Sequence, residues 1–199
     1  MAELVLASTS VSRAAMLAAA GVAFEAVSPG VDEEAVTAAL AAEGAAPRAV
    51  ADVLAEVKAV KVSRRMPGRV VLGGDQVLAL DDGTRLEKPL TRDGLRAQLA
   101  ALRGRRHRLF CAAVLARDGA PLWRQVEVAS LHVRDFSDAW AQAYVARVPD
   151  GVLQSVGGYH VEGLGVQLFD RIEGDLFTVR GLPLVPVLRQ LRLLGVIAG

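Results

Sequence analysis

The chain is short of cysteine, lysine, histidine, aromatics and net charge. It has one cysteine, three histidines and a formal net charge of +1 in 199 residues, with 5% aromatics. Each shortage removes a class of protein. A single thiol, Cys111, makes no internal disulfide and builds no Cys-rich zinc site. His107, His132 and His160 fit no zinc spacing, and none has a cysteine or a serine elbow beside it. A Ser-His-Asp hydrolase is therefore unsupported. Near-neutrality gives no general attraction to nucleic acid or anionic lipid, so affinity for anions must come from a local cluster of cations. No apolar run is long enough to span a bilayer, because charges interrupt every candidate. MAELVLASTS lacks the basic n-region and long apolar stretch of a signal peptide, so a cytoplasmic location is expected. There is no GxxxxGK[ST], and hence no P-loop.

What is present is the composition of a soluble folded domain, 52% apolar and 23% charged. The length suits one large domain or two small lobes. Glu3 to Ala7 reads as a strand, followed by the hydroxyl-rich turn Ser8-Thr9-Ser10-Val11-Ser12 and a helix from Arg13 to Ala20. Val22 to Ser28 is a second strand, ended by Pro29-Gly30. Val50, Val53, Leu54, Val57 and Val60 mark a helix over Arg48 to Arg65. Arg69 to Leu80 is a strand, and Thr91 to Leu102 is an amphipathic helix. Two long strands follow, Arg108 to Arg117 and Leu122 to Val133. Ser137 caps a helix to Val148. Gln154 to Gly165 is Gly-rich and irregular, Val166 to Phe169 is a strand or a buried turn, and Gly181-Leu182-Pro183 opens the last helix. No repeat or linker interrupts this order. Alternating helices and strands with a late antiparallel-looking pair predict an α/β fold built on a mixed sheet.

Several polar residues sit where packing alone does not want them. Asp75 stands inside the apolar run VVLGGDQVLAL and needs a cation, a metal or donors. The ends of α/β strands are also where catalytic groups tend to sit. The turn from Ser8 to Ser12 would expose free N–H groups and the positive end of a helix dipole, which suits phosphate. Arg13, in the first turn of that helix, opposes the dipole, and an incoming anion would explain it, although on this turn alone ordinary capping by one serine is the favoured reading. Asp32, Glu33 and Glu34 fit routine capping. Of twenty-three cationic side chains only Lys58, Lys61 and Lys88 are lysine, so a retained lysine is informative. Lys58 lies on a helix, where snorkelling is the ordinary explanation. Lys88 precedes Pro89. The basic run Arg103 to Arg108 has no interleaved aromatics, so a solvated or triphosphate-facing loop is preferred to a nucleic-acid site.

Together these segments resemble the Maf family of nucleoside triphosphate pyrophosphatases. LASTSVSRAAML is similar to its N-terminal LASxSPRRxxLL. VDE at Val31 to Glu33, KA at Lys58-Ala59, GGDQV at Gly73 to Val77 and EKP at Glu87 to Pro89 follow in the family's order. Gly157 to Leu184 is similar to its C-terminal signature. The resemblance covers nearly the whole chain, 1–199, as one domain. It implies an elongated mixed sheet with flanking helices, in two lobes around a deep cleft, similar to the inosine triphosphatase-like fold. It implies hydrolysis of a nucleoside triphosphate to monophosphate and pyrophosphate with Mg²⁺ or Mn²⁺. By matching positions, Ser8, Ser10 and Arg13 would hold phosphate. Asp75 and Glu33 would bind metal or activate water, and Lys58 and Lys88 would neutralise the triphosphate. Glycines 73 and 74 would let substrate approach the backbone.

The pattern departs from the family at Val11-Ser12, Glu87 and Cys111-Ala112. DQVL, QSVG and HVEG look like the 7-methyl-GTP pyrophosphatase branch. Glu162 could accept from guanine N1–H and N2–H and favour the cationic methylated base. Gln76 would contact the base or orient Asp75. A dTTP/UTP pyrophosphatase of the same family is the alternative. A nucleotide-binding regulator of cell division is another, and the homodimer common in such families is left open. No nucleic acid or membrane partner is expected.

Overall fold

β1 (Leu4–Ala7) is buried along its whole length, which is what a run of LVLA between two parallel neighbours demands. It pairs in parallel with β2 (Phe24–Ala26) on one side and with β3 (Val70–Leu80) on the other. The computed structural model describes residues 3–199. Met1 and Ala2, the start of the segment read above for a signal peptide, lie outside them.

The chain forms two compact units. The first takes in the chain up to Gln76, then Cys111–Glu127 and Asp175–Gly199. The second takes in Val77–Phe110 and Val128–Gly174. β3, β5 (Arg106–Arg117) and β6 (Ala120–Val133) each run from one unit into the other. With β7 (Phe169–Glu173) and β4 (Arg85–Leu86) they complete a seven-stranded sheet. Its order is β2-β1-β3-β5-β6-β7, with β4 beside β3. β3/β4 and β6/β7 are antiparallel, so the sheet is mixed, as expected.

In the first unit, α1 (Val11–Ala19) and α7 (Leu184–Leu193) cover one sheet face. Met16, Leu17, Val187 and Leu191 pack there with Leu4, Leu6, Val70 and Leu72. Val5, Ala7 and Val71 point the other way and meet Val62 of α3 (Pro47–Ser63). This alternation is the two-residue period of a strand. Pro47 starts α3 at a position where a missing N–H costs nothing. α2 (Glu33–Ala42) is capped by Asp32 and buries no residue. In the second unit, Thr91 caps α4 (Arg92–Leu102) and Ser137 caps α5 (Asp138–Arg147), each accepting from an N–H three residues on. No described helix is long and apolar enough to cross a membrane.

Of the two readings of Val166 to Phe169 the turn holds: Leu164–Leu168 is a tight turn that buries Gly165 and Leu168, and β7 begins where it ends. Two elements differ from the sequence reading. β2 is only three residues long, with Phe24 partly buried and Glu25 exposed. A one-turn helix, α6 (Leu176–Val179), stands before the last helix and was not foreseen. Asp175 nucleates it by accepting from Phe177 and Thr178 N–H.

Candidate functional site

β1 stops pairing with β3 at Ala7, opposite Gly73, and β3 runs on past it before β4 pairs at Leu78 and Ala79. Asp75 lies two residues beyond this point. It is therefore inside its own strand but just past the end of its neighbour's, which reconciles a carboxylate in an apolar run with the strand-end expectation. Only 7% of Asp75 is exposed. Lys58 comes up from α3, itself 4% exposed, and its Nζ donates to Asp75 Oδ1 at 2.6 Å. The same ammonium lies 2.9 Å from Glu33 Oε1, whose side chain remains 45% exposed at the start of α2. One buried cation thus holds two carboxylates. Lys58 is not a snorkelling side chain, because its ammonium stays inside beside two carboxylates.

Gly73 has a different task from the one the sequence suggested. A Cβ on Gly73 would lie 2.2 Å from the Ala55 carbonyl oxygen and 2.9 Å from Ala59 Cβ. The missing side chain lets α3 press on β3 and brings Lys58 to Asp75, rather than opening the backbone to substrate. Gly74 faces the opposite side, where a Cβ would lie 3.1 Å from Arg13 Nε.

On that opposite side, Ser10 caps α1 by accepting from Arg13 N–H at 3.4 Å. Ser8 Oγ accepts from Ser10 N–H and from Arg13 Nη1, both at 3.2 Å. Arg13 Nε donates to the Gly181 carbonyl at 2.7 Å. The cation that seemed misplaced at a helix N-terminus is therefore held by a fixed carbonyl and a hydroxyl, with no anion required to explain it. Ser12, at a departure from the family pattern, donates to the Arg180 carbonyl at 2.9 Å. Gln76 does not orient Asp75. Its Nε2 donates to the carbonyls of Thr178, at 2.9 Å, and Val179, at 3.2 Å.

The structure thus gathers Glu33, Lys58 and Asp75 on one side of β3, and Ser8, Ser10, Arg13 and Gln76 on the other. Lys88 and Glu162 belong to the second unit and are both exposed. Lys88 sits in the segment between β4 and α4, and Glu162 in the turns that precede β7. Sequence reasoning missed the turn at Asp175–Gly181, although D-x-x-T followed by Gly-Leu-Pro is a legible start and stop. It also missed Lys61 and Arg65. Lys61 donates to the Gly30 carbonyl, and Arg65 Nη2 donates to Ser28 O at 3.1 Å. Both tie down the loop that leads to Glu33.

The second unit answers two other readings. The basic run is matched by carboxylates: Arg105 with Asp82 at 2.5 Å, Arg106 with Asp81 at 3.0 Å, and Arg103 with Asp138. The Thr84 amide, then the Thr84 side chain and Arg105, hold Asp82 down to about 2, and Arg106 lowers Asp81. His107 is fully buried against Tyr159 Oη at 2.7 Å, and burial pushes its pKa down to about 4. In the first unit, burial raises the Cys111 thiol to about 12, which makes it a packing residue rather than a nucleophile.

A sequence model of Maf-like proteins matches residues 3–194. The chain belongs to the Maf family. A nucleoside triphosphate pyrophosphatase of Caulobacter vibrioides is 56% identical over 190 residues, 96% of this chain and 94% of the relative. One of Sphingopyxis alaskensis, with the same name, is 54% identical over 192 residues, 96% and 97% of the two chains. A 7-methyl-GTP pyrophosphatase of Brucella abortus is 48% identical over 190 residues, 96% and 95%. The mixed sheet with helices on both faces is the fold of this Maf protein, and its motif residues Ser8, Ser10, Arg13, Glu33, Lys58 and Asp75 lie about β3.

Proposed function

We propose that this Maf protein hydrolyses 7-methyl-GTP to the monophosphate and pyrophosphate in the cytoplasm. At the coarser level it is a nucleoside triphosphate pyrophosphatase, a hydrolase acting on acid anhydrides, like its relatives. The observation that carries the mechanism is the Lys58–Asp75 contact at 2.6 Å beside Glu33. Asp75 is fixed on a strand, and its carboxylate is aimed by a buried ammonium.

Asp75 takes a proton from a water, and that water attacks the α-phosphorus. The bond from the α-phosphorus to the bridging oxygen breaks, and pyrophosphate leaves. Lys58 and Arg13 meet charge that builds on the phosphates, and the α1 N-terminus with Ser8 and Ser10 supplies further donors. Chemistry of this kind rests mainly on positioning and electrostatics.

The residues fit a divalent cation. Asp75 and Glu33 are hard oxygen donors that already share one cation, Lys58 Nζ. Among the described residues no group of three or more His, Cys, Asp or Glu could hold a metal ion. Two carboxylates with phosphate oxygens completing the shell is the arrangement that Mg²⁺ or Mn²⁺ accepts. Bound there, the ion would polarise the phosphates and neutralise developing charge.

Lys88, as a triphosphate contact, and Glu162, as the reader of a cationic guanine, are proposed from the family pattern. The 7-methyl-GTP pyrophosphatases of Brucella abortus and Mesorhizobium japonicum, 48% and 49% identical, support the choice of base. Pyrophosphate release with Mg²⁺ and Mn²⁺ across 7-methyl-GTP, GTP, dTTP and UTP tests it. The expected result is a clear preference for 7-methyl-GTP that Glu162→Gln weakens. Preference for dTTP or UTP would overturn the base reading and keep the reaction. No release from any of them would overturn both.

A further inference from the structure

Four consecutive carbonyls, from Thr178 to Gly181, all accept hydrogen bonds from side chains of the site. Gln76 Nε2 donates to the first two, Ser12 Oγ to the third and Arg13 Nε to the fourth, at 2.9, 3.2, 2.9 and 2.7 Å in chain order. The last carbonyls of a helix have no partners within it, so the end of α6 can take these donors, the Thr178 carbonyl accepting from Gly181 N–H at 3.1 Å as well. With its N–H₂ so engaged, Gln76 is left with Oε1 as its free polar end. That oxygen and Arg13 converge on one spot, since a Cβ built on Gly181 would lie 3.7 Å from Gln76 Oε1 and 3.8 Å from Arg13 Nη2. Gly181 itself has φ +100°, a conformation that favours glycine.

The row of carbonyls depends on a helix of only four residues, too short to persist alone. Asp175 holds it. Its carboxylate accepts from Phe177 N at 3.2 Å, Thr178 N at 2.9 Å and Thr178 Oγ1 at 3.0 Å. Thr178 is 1% exposed, so its hydroxyl has been buried for this bond.

We propose that Asp175 and Thr178 are positioning residues, which fix the carbonyl row that aims Arg13 and Gln76 and thereby set how sharply the enzyme separates one triphosphate base from another. This rests on the pyrophosphatase reading above. Neither residue touches substrate; each acts through the turn.

The test is steady-state kinetics with Mg²⁺ on 7-methyl-GTP, GTP, dTTP and UTP, each variant assayed well below its own melting temperature. Asp175→Ala should raise KM about tenfold and reduce the kcat/KM ratio between best and worst base about tenfold. Asp175→Asn, a cap of nearly equal quality, should restore most of both. In a Gln76→Met background, Asp175→Ala should cost little further selectivity, because the two act on one contact. If Asp175→Ala fails to fold, Thr178→Val, which preserves volume, carries the same readout. A variant that melts earlier but keeps KM and selectivity overturns the inference, leaving a purely structural cap. Selectivity losses that multiply in the double variant overturn it too. If the wild-type enzyme releases pyrophosphate from none of the triphosphates, the pyrophosphatase reading falls and takes this one with it.

Discussion

Replacing Lys58 by methionine should cost stability and turnover for separable reasons. Lys58 is 4% exposed and pairs with an Asp75 side chain that is 9% exposed. Its second contact, Glu33, is 45% exposed, and a pair that open is worth no more than about 1 kcal/mol. The main loss is therefore an uncompensated carboxylate in the interior, about 3–5 kcal/mol. That is a large share of the roughly 5–15 kcal/mol a domain has to spare. Removing the second charge as well is the decisive step. Lys58→Met with Asp75→Leu leaves no buried ion, so stability should return to within about 1 kcal/mol of wild type or exceed it. Activity should stay lost. Urea unfolding with pyrophosphate release, run on both single variants and the double, reads both quantities. A double variant as unstable as Lys58→Met alone would refute the desolvation argument. Near-normal turnover in Lys58→Met would refute the catalytic one.

Two further predictions follow from local geometry. Gly73→Ala places a methyl 2.2 Å from a backbone oxygen and should cost upwards of about 3 kcal/mol, whereas Gly74→Ala meets only the flexible end of Arg13 at 3.1 Å. The second should melt near wild type and raise KM; equal melting temperatures for the two would contradict the packing described. His107, with its pKa near 4 against 6.5 when unfolded, binds a proton in the unfolded chain first. Its contribution to stability is therefore complete above about pH 6.5 and falls by about 3 kcal/mol as pH drops toward 4. His107→Gln should flatten that part of the urea midpoint against pH, and an unchanged slope would show that the imidazole is not the group responsible.

The fold class was legible because β1 and β3 are apolar runs, β5 and β6 are long strand-like segments, and the helices have clean caps at Ser10, Thr91 and Ser137. The short elements were not. α6 has four residues, and its existence depends on the Asp175 cap and on side chains from Ser12, Arg13 and Gln76, far away in sequence. β2 keeps only three residues of the seven expected, a length that hydropathy alone does not reveal. Among site residues, Asp75 was legible as a charge in an apolar strand, and Lys58 as one of three lysines. Their contact was not, because it depends on Gly73 admitting α3, and a glycine pair reads equally well as a substrate opening. The motif order supplied what periodicity lacked.

Gly73 to Gln76 shows why such a site needs a strand rather than a helix. Alternation sends Gly73 and Asp75 toward α3, and Gly74 and Gln76 toward α1 and the 175–181 turn. Four consecutive residues thus bring the Lys58-bound carboxylate to one side of the sheet and the Gln76 amide to the other. On a helix, positions 75 and 76 would be about 100° apart on one surface, and the two sets of partners would collide. β1 ends at Ala7, so on that side no strand blocks the main chain where the two faces meet. The carboxylate and the guanidinium are then fixed by separate supports, Lys58 for one and Gly181 for the other. Loosening the Gly181 side should alter substrate discrimination while leaving the Lys58–Asp75 contact intact, and loosening the Lys58 side should do the reverse.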